Sequence, residues 1–313
     1  MLAQPSVTAI LVTYNSAEVI GAALRSLIAT PEIVSIIVVD NASTDGSVEM
    51  VKNDFKDVIL MENTENRGFA AANNQGMAIA KGRYVLLLNS DTIVLESSIA
   101  NTVKFADENP RTAVTGCQVL NTDGTIQRTC FKFPSILNML LSSTYLYKLF
   151  PKNKFFGREQ MTWWDRGDVR QVDVVTGCFM LVRREAIEQV GPMDERFFMY
   201  GEETDWCYRF WLNGWKVMFA PVGRIIHFGG QSTAKRPVVM IVQLRLSILK
   251  FIKKHHSWPS HLIARFFVAL FFAVRLPVWL AMALLRPAVR AEAAIKMKAY
   301  SIGVVNALFS QVS

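Results

Sequence analysis

Over the first 110 residues, short apolar runs alternate with longer stretches of helical spacing. Val7 to Tyr14 predicts a strand, and Ser16 to Ile28 a helix capped by Asn15 or Ser16. Ile33 to Asp40 predicts the second strand; Asn41 to Gly46 is a turn-rich loop that opens a helix near Ser47. Val58 to Met61 and Arg83 to Leu88 are further strands, separated by a helix from Gly68 to Lys81 whose small face holds Ala70, Ala71, Ala72, Ala78 and Ala80. Glu96 to Asp107 has helical spacing again. Runs as short and apolar as Tyr84 to Leu88 suit strands buried on both faces, which is the habit of a parallel sheet. Alternation at this period implies right-handed crossovers and helices on both faces.

The pattern changes after Thr112. Ala113 to Leu120, Gly124 to Thr129 and Val172 to Val182 have strand character, with long irregular stretches between them. Residues 131 to 170 hold nine aromatics, about double the chain average of 11%. Such a segment suits a helical flap over an acceptor or a lipid surface, and equally a satellite subdomain with its own core.

The net charge of +8 on 313 residues resides at one end. From Val238 onward, ten Lys and Arg face one acid, Glu292, so the preceding residues are close to neutral. Phe266 to Leu285 carries Arg275 as its only charge and includes Phe271, Phe272 and Trp279, which points to lipid rather than nucleic acid. A central Arg is costly in a span. Arg265, Arg275, Arg286 and Arg290 fall within about 80° of a helical wheel, though Phe272 and Trp279 share that arc. Helices lying in the membrane interface are the expectation; a crossing, or a buried helical pair, is the alternative. The expected organisation is a catalytic domain over 1–237, with halves at 1–110 and 111–237, followed by a basic, apolar tail over 238–313. The N-terminus predicts no signal sequence, and Cys117, Cys130, Cys178 and Cys207 have no metal-ligand spacing, so reduced thiols are expected.

Chemistry is suggested where strands end. Asn89-Ser90-Asp91 follows the most apolar strand, and Asp40 closes another. Carboxylates at the carboxyl ends of parallel strands stand in the crevice where open α/β sheets bind ligands. Two of them suit a nucleotide and a divalent metal. His227 follows the apolar Ile225-Ile226 and precedes Phe228-Gly229-Gly230, a context that suits a ligand as well as a packed residue. Glu202, Glu203 and Asp205 open a helix, where the macrodipole favours negative charge and where at least one of them need only cap.

Taken together, these residues resemble the inverting glycosyltransferases of family 2, which have the GT-A fold. The resemblance spans roughly residues 6 to 235. It rests on Thr13-Tyr14-Asn15, Val39 to Gly46, Asn66-Arg67-Gly68-Phe69, Asn89-Ser90-Asp91, Thr176-Gly177-Cys178 and Phe197 to Asp205, all in the family's order. Within the family the chain looks most like bacterial rhamnosyltransferases that build cell-surface polysaccharides. The resemblance implies an α/β fold with a mostly parallel sheet, and a site for a nucleotide sugar and Mg²⁺ or Mn²⁺. It implies donor contacts from Thr13, Tyr14, Asn15, Asp40, Asn66, Arg67, Gly68, Asn89 and Asp91, and metal contacts from Asp91 and His227. The general base is expected at Glu203, with Glu202 or Asp205 as substitutes; the chain has Glu203 where the family more often has Asp. Asn89 replaces a frequent acid, which leaves a thinner metal site. Gly177, Cys178, Trp163 and Trp164 are expected on the acceptor side.

The expected activity is transfer of a sugar, L-rhamnose from dTDP-rhamnose first, onto a glycan or polyprenyl-diphosphate-linked acceptor at the cytoplasmic membrane face. A UDP-sugar such as UDP-galactofuranose is the alternative donor. A nucleotidyltransferase would need a glycine-rich basic loop after the first strand, and Thr13 to Ala17 is not one. A non-catalytic membrane adaptor would have no use for Asp40, Asp91, Glu203 and His227 together.

Overall fold

The computed structural model describes residues 6–144, 146–229 and 237–310. Gly230, expected in the loop after His227, and the aromatic Tyr145 lie outside the described residues. The chain divides into two compact units, one of residues 1–131, 166–198 and 202–232, the other of 132–165, 199–201 and 233–313.

The first unit begins with β1 Val7–Thr13, α1 Ala17–Ile28, β2 Ile33–Asp40, α2 Ser47–Asp54, β3 Ile59–Glu62, α3 Gly68–Ile79 and β4 Tyr84–Asn89. β5 Thr92–Val94, α4 Ser98–Glu108, β6 Thr112–Leu120 and β7 Cys130–Phe131 follow. The chain then enters the second unit with α5 Ile136–Ser143 and α6 Leu146–Leu149. It returns to the first with β8 Arg170–Gln171, β9 Val174–Val175, β10 Phe179–Arg183, α7 Arg184–Val190, α8 Glu202–Leu212 and β11 Lys216–His227.

Among the described residues the main sheet runs β3-β2-β1-β4-β10-β6-β11-β5, with β8 on β11. β3, β2, β1 and β4 are parallel, in the order that short right-handed crossovers produce. Strand register sorts the side chains by parity. Val7, Ala9 and Leu11 face a core completed by Ile20, Leu24, Leu27 and Val103, while Ile10 faces α3. Gly76 is required there, because a Cβ on it would stand 2.7 Å from Ile10 Cγ2. β10 enters antiparallel between β4 and β6, pairing Phe179 with Leu88, and it ends the parallel run.

Two expected strands differ. Residues 124–129 form no strand beyond one bridge between Leu120 and Ile126, because Asn121 to Thr125 closes a tight turn. The stretch from Val172 to Val182 is broken at Thr176-Gly177-Cys178: β9 leaves the main sheet to pair with β7, and only β10 stays in it. Helix α1 also begins differently from expectation. Ser16 makes no side-chain cap; instead Asp45 Oδ2 accepts from Ala17 N at 2.9 Å, and Ser47 Oγ from Ser16 N at 3.0 Å. A loop distant in sequence thus satisfies donors that a local cap would take.

The second unit adds α9 Pro237–His255, α10 Trp258–Ala273, α11 Arg275–Leu285 and α12 Arg290–Phe309 to α5 and α6. α12 runs antiparallel to α10 and α11. Arg265 Nη2 donates to Ser310 O, Phe272 packs on Tyr300, Lys296 lies over Trp279, and Arg290 Nε donates to Ala283 O. Gly303 lets the helices meet, since a Cβ there would stand 2.6 Å from the Phe272 ring. The boundary expected at residue 237 therefore does not describe the packing. The aromatic segment 132–165 joins the tail helices, with Phe133 stacked on Phe251 at 6.3 Å.

Arg275 also departs from its expected place on a polar arc. It is 3% exposed, donates to Phe271 O and Ser142 O, and stacks its guanidinium 3.4 Å from the Phe271 ring centroid. A guanidinium with carbonyl partners and an aromatic face satisfies its charge inside the helical unit. The remaining Arg265, Arg286 and Arg290 cannot define the face that four residues were expected to mark.

Candidate functional site

Parallel pairing brings three strand ends side by side. Thr13 is in register with Asp40, and Val12 with Asn89, so β2, β1 and β4 present Asp40, Thr13 and Asn89 along one edge. The loops that follow are tied to one another. Asn15, held at φ 54°, takes Ser43 Oγ on its N–H and accepts from Thr44 N with Oδ1. Asn41 Nδ2 donates to Gly68 O, and Asn66 Oδ1 accepts from Gly68 N. Gly68 has φ +83°, and a Cβ on it would meet Phe198 O at 2.3 Å. Only glycine allows this approach, which also lets Phe69 N donate to Phe198 O at 2.8 Å.

Asp40 divides its two oxygens between the two roles open to it. Oδ2 accepts from Ser43 N at 2.9 Å and closes the turn. Oδ1 is buried and has no hydrogen-bond partner in the protein, and the same holds for Thr13 Oγ1 in the neighbouring strand. A buried acceptor and a buried hydroxyl left open at adjacent strand ends suit a ligand edge that offers a donor and an acceptor. Tyr14 is half-buried beside them. Arg67 is exposed and lies 3.9 Å from Glu195, so its charge is partly answered at the surface.

Asp91 and His227 converge. β11 pairs antiparallel with β5, placing His227 opposite Thr92, and His227 Nε2 lies 3.2 Å from Asp91 Oδ1. Asn89 Nδ2 stands 3.2 Å from the same Nε2. On the other side of the ring, Nδ1 is 2.9 Å from Gln127 Oε1, while Gln127 Nε2 donates to His227 O at 2.7 Å. Sequence reasoning missed Gln127. It stands in a segment read as strand, a hundred residues from its partner, and no local motif marks it.

Among the described residues no three His, Cys, Asp or Glu converge as a metal cage. The donor set at this edge is one carboxylate and one imidazole. The carboxylate suits a hard divalent ion such as Mg²⁺ or Mn²⁺, which imidazole accepts less readily, and two protein ligands leave several positions for water and phosphate oxygens.

Cys178 is joined to this edge by its backbone: Asn89 N donates to Cys178 O at 3.3 Å. Burial pushes its thiol up to about 11, against the nearby Thr176 hydroxyl and with the Asp91 charge adding to the rise. It stays protonated at neutral pH and is no nucleophile. Cys117, Cys130 and Cys207 are likewise buried with raised values. Gly177 is in contact range of the Phe69 ring, which a Cβ would approach to 3.0 Å.

Helix α8 opens with Glu202, Glu203 and Asp205. Asp205, one of the two substitute bases, is fully buried and ion-paired to Arg209 at 2.8 Å; Arg209 also donates to Val190 O and Pro192 O. It anchors the helix. Glu202 is 4% exposed, and Glu203 is the more open of the two remaining acids. Trp163 and Trp164 belong to the other unit, where Trp164 is core at 5% exposure and Trp163 carries Lys154 5.0 Å over its ring.

The sequence profile of glycosyl transferase family 2 matches residues 8–191. The chain is similar to the N-acetylglucosaminyl-diphospho-decaprenol L-rhamnosyltransferase of Mycobacterium tuberculosis, 28% identical over 261 residues that cover 79% of this chain and 83% of that one. Among solved structures, the mannosyltransferase of Pyrobaculum calidifontis in complex with GDP-mannose and Mn²⁺ matches with a TM-score of 0.58 at 18% identity, covering 98% of this chain and 88% of that one. The TarS 1–349 structure of S. aureus matches with a TM-score of 0.51 at 15% identity, covering 96% and 90%. The fold is therefore the GT-A glycosyltransferase fold that the resemblance implied.

Proposed function

The chain belongs to glycosyl transferase family 2, and from that premise we propose that it transfers L-rhamnose, with inversion, from dTDP-rhamnose to a polyprenyl-diphosphate-linked glycan. The Mycobacterium tuberculosis relative, named for a rhamnosyl transfer to a lipid-diphosphate acceptor, supports the donor and the acceptor class. The observation that carries the reading is the convergence of Asp91 Oδ1 and His227 Nε2, 3.2 Å apart, beside the strand ends that hold Asp40 and Thr13.

In this reading the pyrimidine edge lies against β1 and β2. Asp40 Oδ1 accepts from the ring N3–H and the Thr13 hydroxyl donates to a ring carbonyl, which gives each buried atom its partner. Asn15, Tyr14 and the Asn66-Arg67-Gly68 loop flank the ribose and phosphates. Asp91 and His227 would hold a divalent ion, which would supply positive charge opposite the diphosphate of the donor. Asn89, short of a charge, hydrogen-bonds to the donor once the ion takes the Nε2 lone pair it now faces. Glu203 takes the proton from the acceptor hydroxyl as its oxygen attacks the anomeric carbon; the bond from that carbon to the β-phosphate oxygen breaks, and the nucleoside diphosphate leaves. Gly177 and Cys178 are assigned to the acceptor. N3–H is common to thymine and uracil, so a UDP-sugar such as UDP-galactofuranose is the second reading.

The helical unit supplies the membrane surface in this proposal. Trp258–Leu285 has the length and hydropathy of a span. Its break before Arg275, and the ties of Arg275 to Ser142 and Phe271, favour helices lying in the cytoplasmic interface. Exposed Phe266, Leu284, Leu285 and Phe309 would enter the lipid, with Arg286, Arg290 and Lys298 near anionic headgroups.

The test is a panel of dTDP-, UDP- and GDP-sugars, read as nucleoside diphosphate release with and without EDTA. Turnover should be highest with dTDP-rhamnose, vanish in EDTA and in Asp91→Ala, and return to the wild type with Mg²⁺ or Mn²⁺. A preference for GDP-sugars would overturn the base assignment, and full turnover in excess chelator the metal assignment.

A further inference from the structure

We infer that Gln127 is a positioning residue that sets the tautomer of His227 and thereby leaves Nε2 as a bare lone pair facing Asp91. The inference rests on the proposed metal role of that pair and extends it to a residue outside every motif.

The geometry settles the proton by elimination. The His227 carbonyl can only accept, so the Gln127 atom 2.7 Å from it must be the amide nitrogen. Turning the amide over would set two carbonyl oxygens against each other. The other Gln127 atom is therefore Oε1, which can only accept, and it lies 2.9 Å from Nδ1. Nδ1 must carry the hydrogen. In the neutral ring Nε2 then has none.

The same Nε2 is 3.2 Å from Asp91 Oδ1 and 3.2 Å from Asn89 Nδ2. With no ion present Asn89 can donate to the Nε2 lone pair, a contact that a cation would replace, whereas an Nε2–H would point a hydrogen at an amide NH₂. Two lone-pair atoms, one imidazole nitrogen and one carboxylate oxygen, are thus aimed into one space. Such an arrangement is repulsive by itself and becomes favourable when a cation lies between or beside them. Gln127 holds both the ring, through Nδ1, and the strand end that carries it, through the carbonyl. The hydrogen bond from the far nitrogen of a ligating histidine sets its tautomer and raises its basicity.

The test uses full-length protein labelled with [¹⁵N]histidine, free of metal, at a pH above the imidazole range. The His227 resonance is identified as the one lost in His227→Asn. It should report the Nδ1–H tautomer in the wild type, and a mixture in Gln127→Ala. Affinity for Mn²⁺, read from the EPR signal of the free ion, should fall roughly 10- to 100-fold in Gln127→Ala. Gln127→Glu keeps an acceptor for Nδ1–H and should keep the tautomer, which provides the readout if the alanine variant does not fold. An Nε2–H tautomer in the wild type or in Gln127→Glu, or unchanged Mn²⁺ affinity in a folded Gln127→Ala, would overturn the inference. Failure of the metal reading is separate: Asp91→Ala would then bind Mn²⁺ as the wild type does, while the tautomer result would stand.

Discussion

Glu203 and Asp205 are two residues apart and differ in burial, and with the base proposed at Glu203 they make the sharpest comparison at the residue scale. Asp205 is fully buried against Arg209, and removing one member of a buried pair leaves the other uncompensated, at a cost of about 3–5 kcal/mol. Asp205→Asn should therefore lower the melting temperature markedly. Glu203→Gln should leave melting and donor affinity near the wild type and reduce kcat by about a hundredfold or more, the usual weight of a general base. Calorimetry and steady-state kinetics on both variants check this. A stable but inactive Asp205→Asn, with an active Glu203→Gln, would move the base to Asp205. The resemblance put the base at Glu203 and kept Glu202 and Asp205 as substitutes, because all three suit a helix N-terminus; burial and the Arg209 partner set Asp205 apart.

At the scale of elements, the start of α3 shows how the donor loop and the approach to α8 depend on each other. Gly68 sits at φ +83° with Phe198 O where a Cβ would lie, and Phe69 N binds that same oxygen. Gly68→Ala brings both backbone strain and a collision, and strain of this kind costs about 1–3 kcal/mol. The variant should melt lower and show a raised KM for the donor, since the Asn66–Gly68 turn and its bond to Asn41 would shift. Thermal unfolding and donor KM measured together decide it; both unchanged would show that the close approach has no consequence. The glycine was visible in the sequence as part of a motif. Its reason was not, because Phe198 lies 130 residues further on.

For the whole molecule, the tail is not an appendage. Segment 132–165 and helices α9 to α12 share one core, in which Phe251 and Phe272 are fully buried and Met139 and Leu141 nearly so. Removing residues from Lys250 onward should therefore yield aggregated protein, as apolar surface on α5 loses its cover. Membrane binding is better tested on the full chain. Leu284, Leu285 and Phe309 are 71%, 80% and 78% exposed, so changing all three to Gln disturbs little packing. Each such side chain is worth about 1.5–3 kcal/mol when buried in an apolar medium. The triple variant should stay folded, turn over a water-soluble acceptor analogue, and bind anionic liposomes at least tenfold less tightly. Liposome binding equal to the wild type would place the anchor elsewhere, and a soluble, folded truncation would restore the tail as a separable part.

The sequence by itself determined the parallel half of the sheet and which side chains stand at its edge. Period and apolarity are local properties, and a carboxylate at the end of a buried strand stands in the crevice whichever partners the strand acquires. The placement of Asp40, Asn89 and Asp91 was legible for that reason, and that of His227 nearly so. Tertiary structure alone decided which groups meet across the chain: Gln127 behind His227, Asp45 at the start of α1, and Phe198 against Gly68. It also decided that Arg275 turns inward, since a guanidinium is driven to a surface only when nothing inside can answer its charge. Here Ser142 O, Phe271 O and the Phe271 ring do so. Pairings of that kind depend on chain segments far apart, and no window of sequence contains both sides.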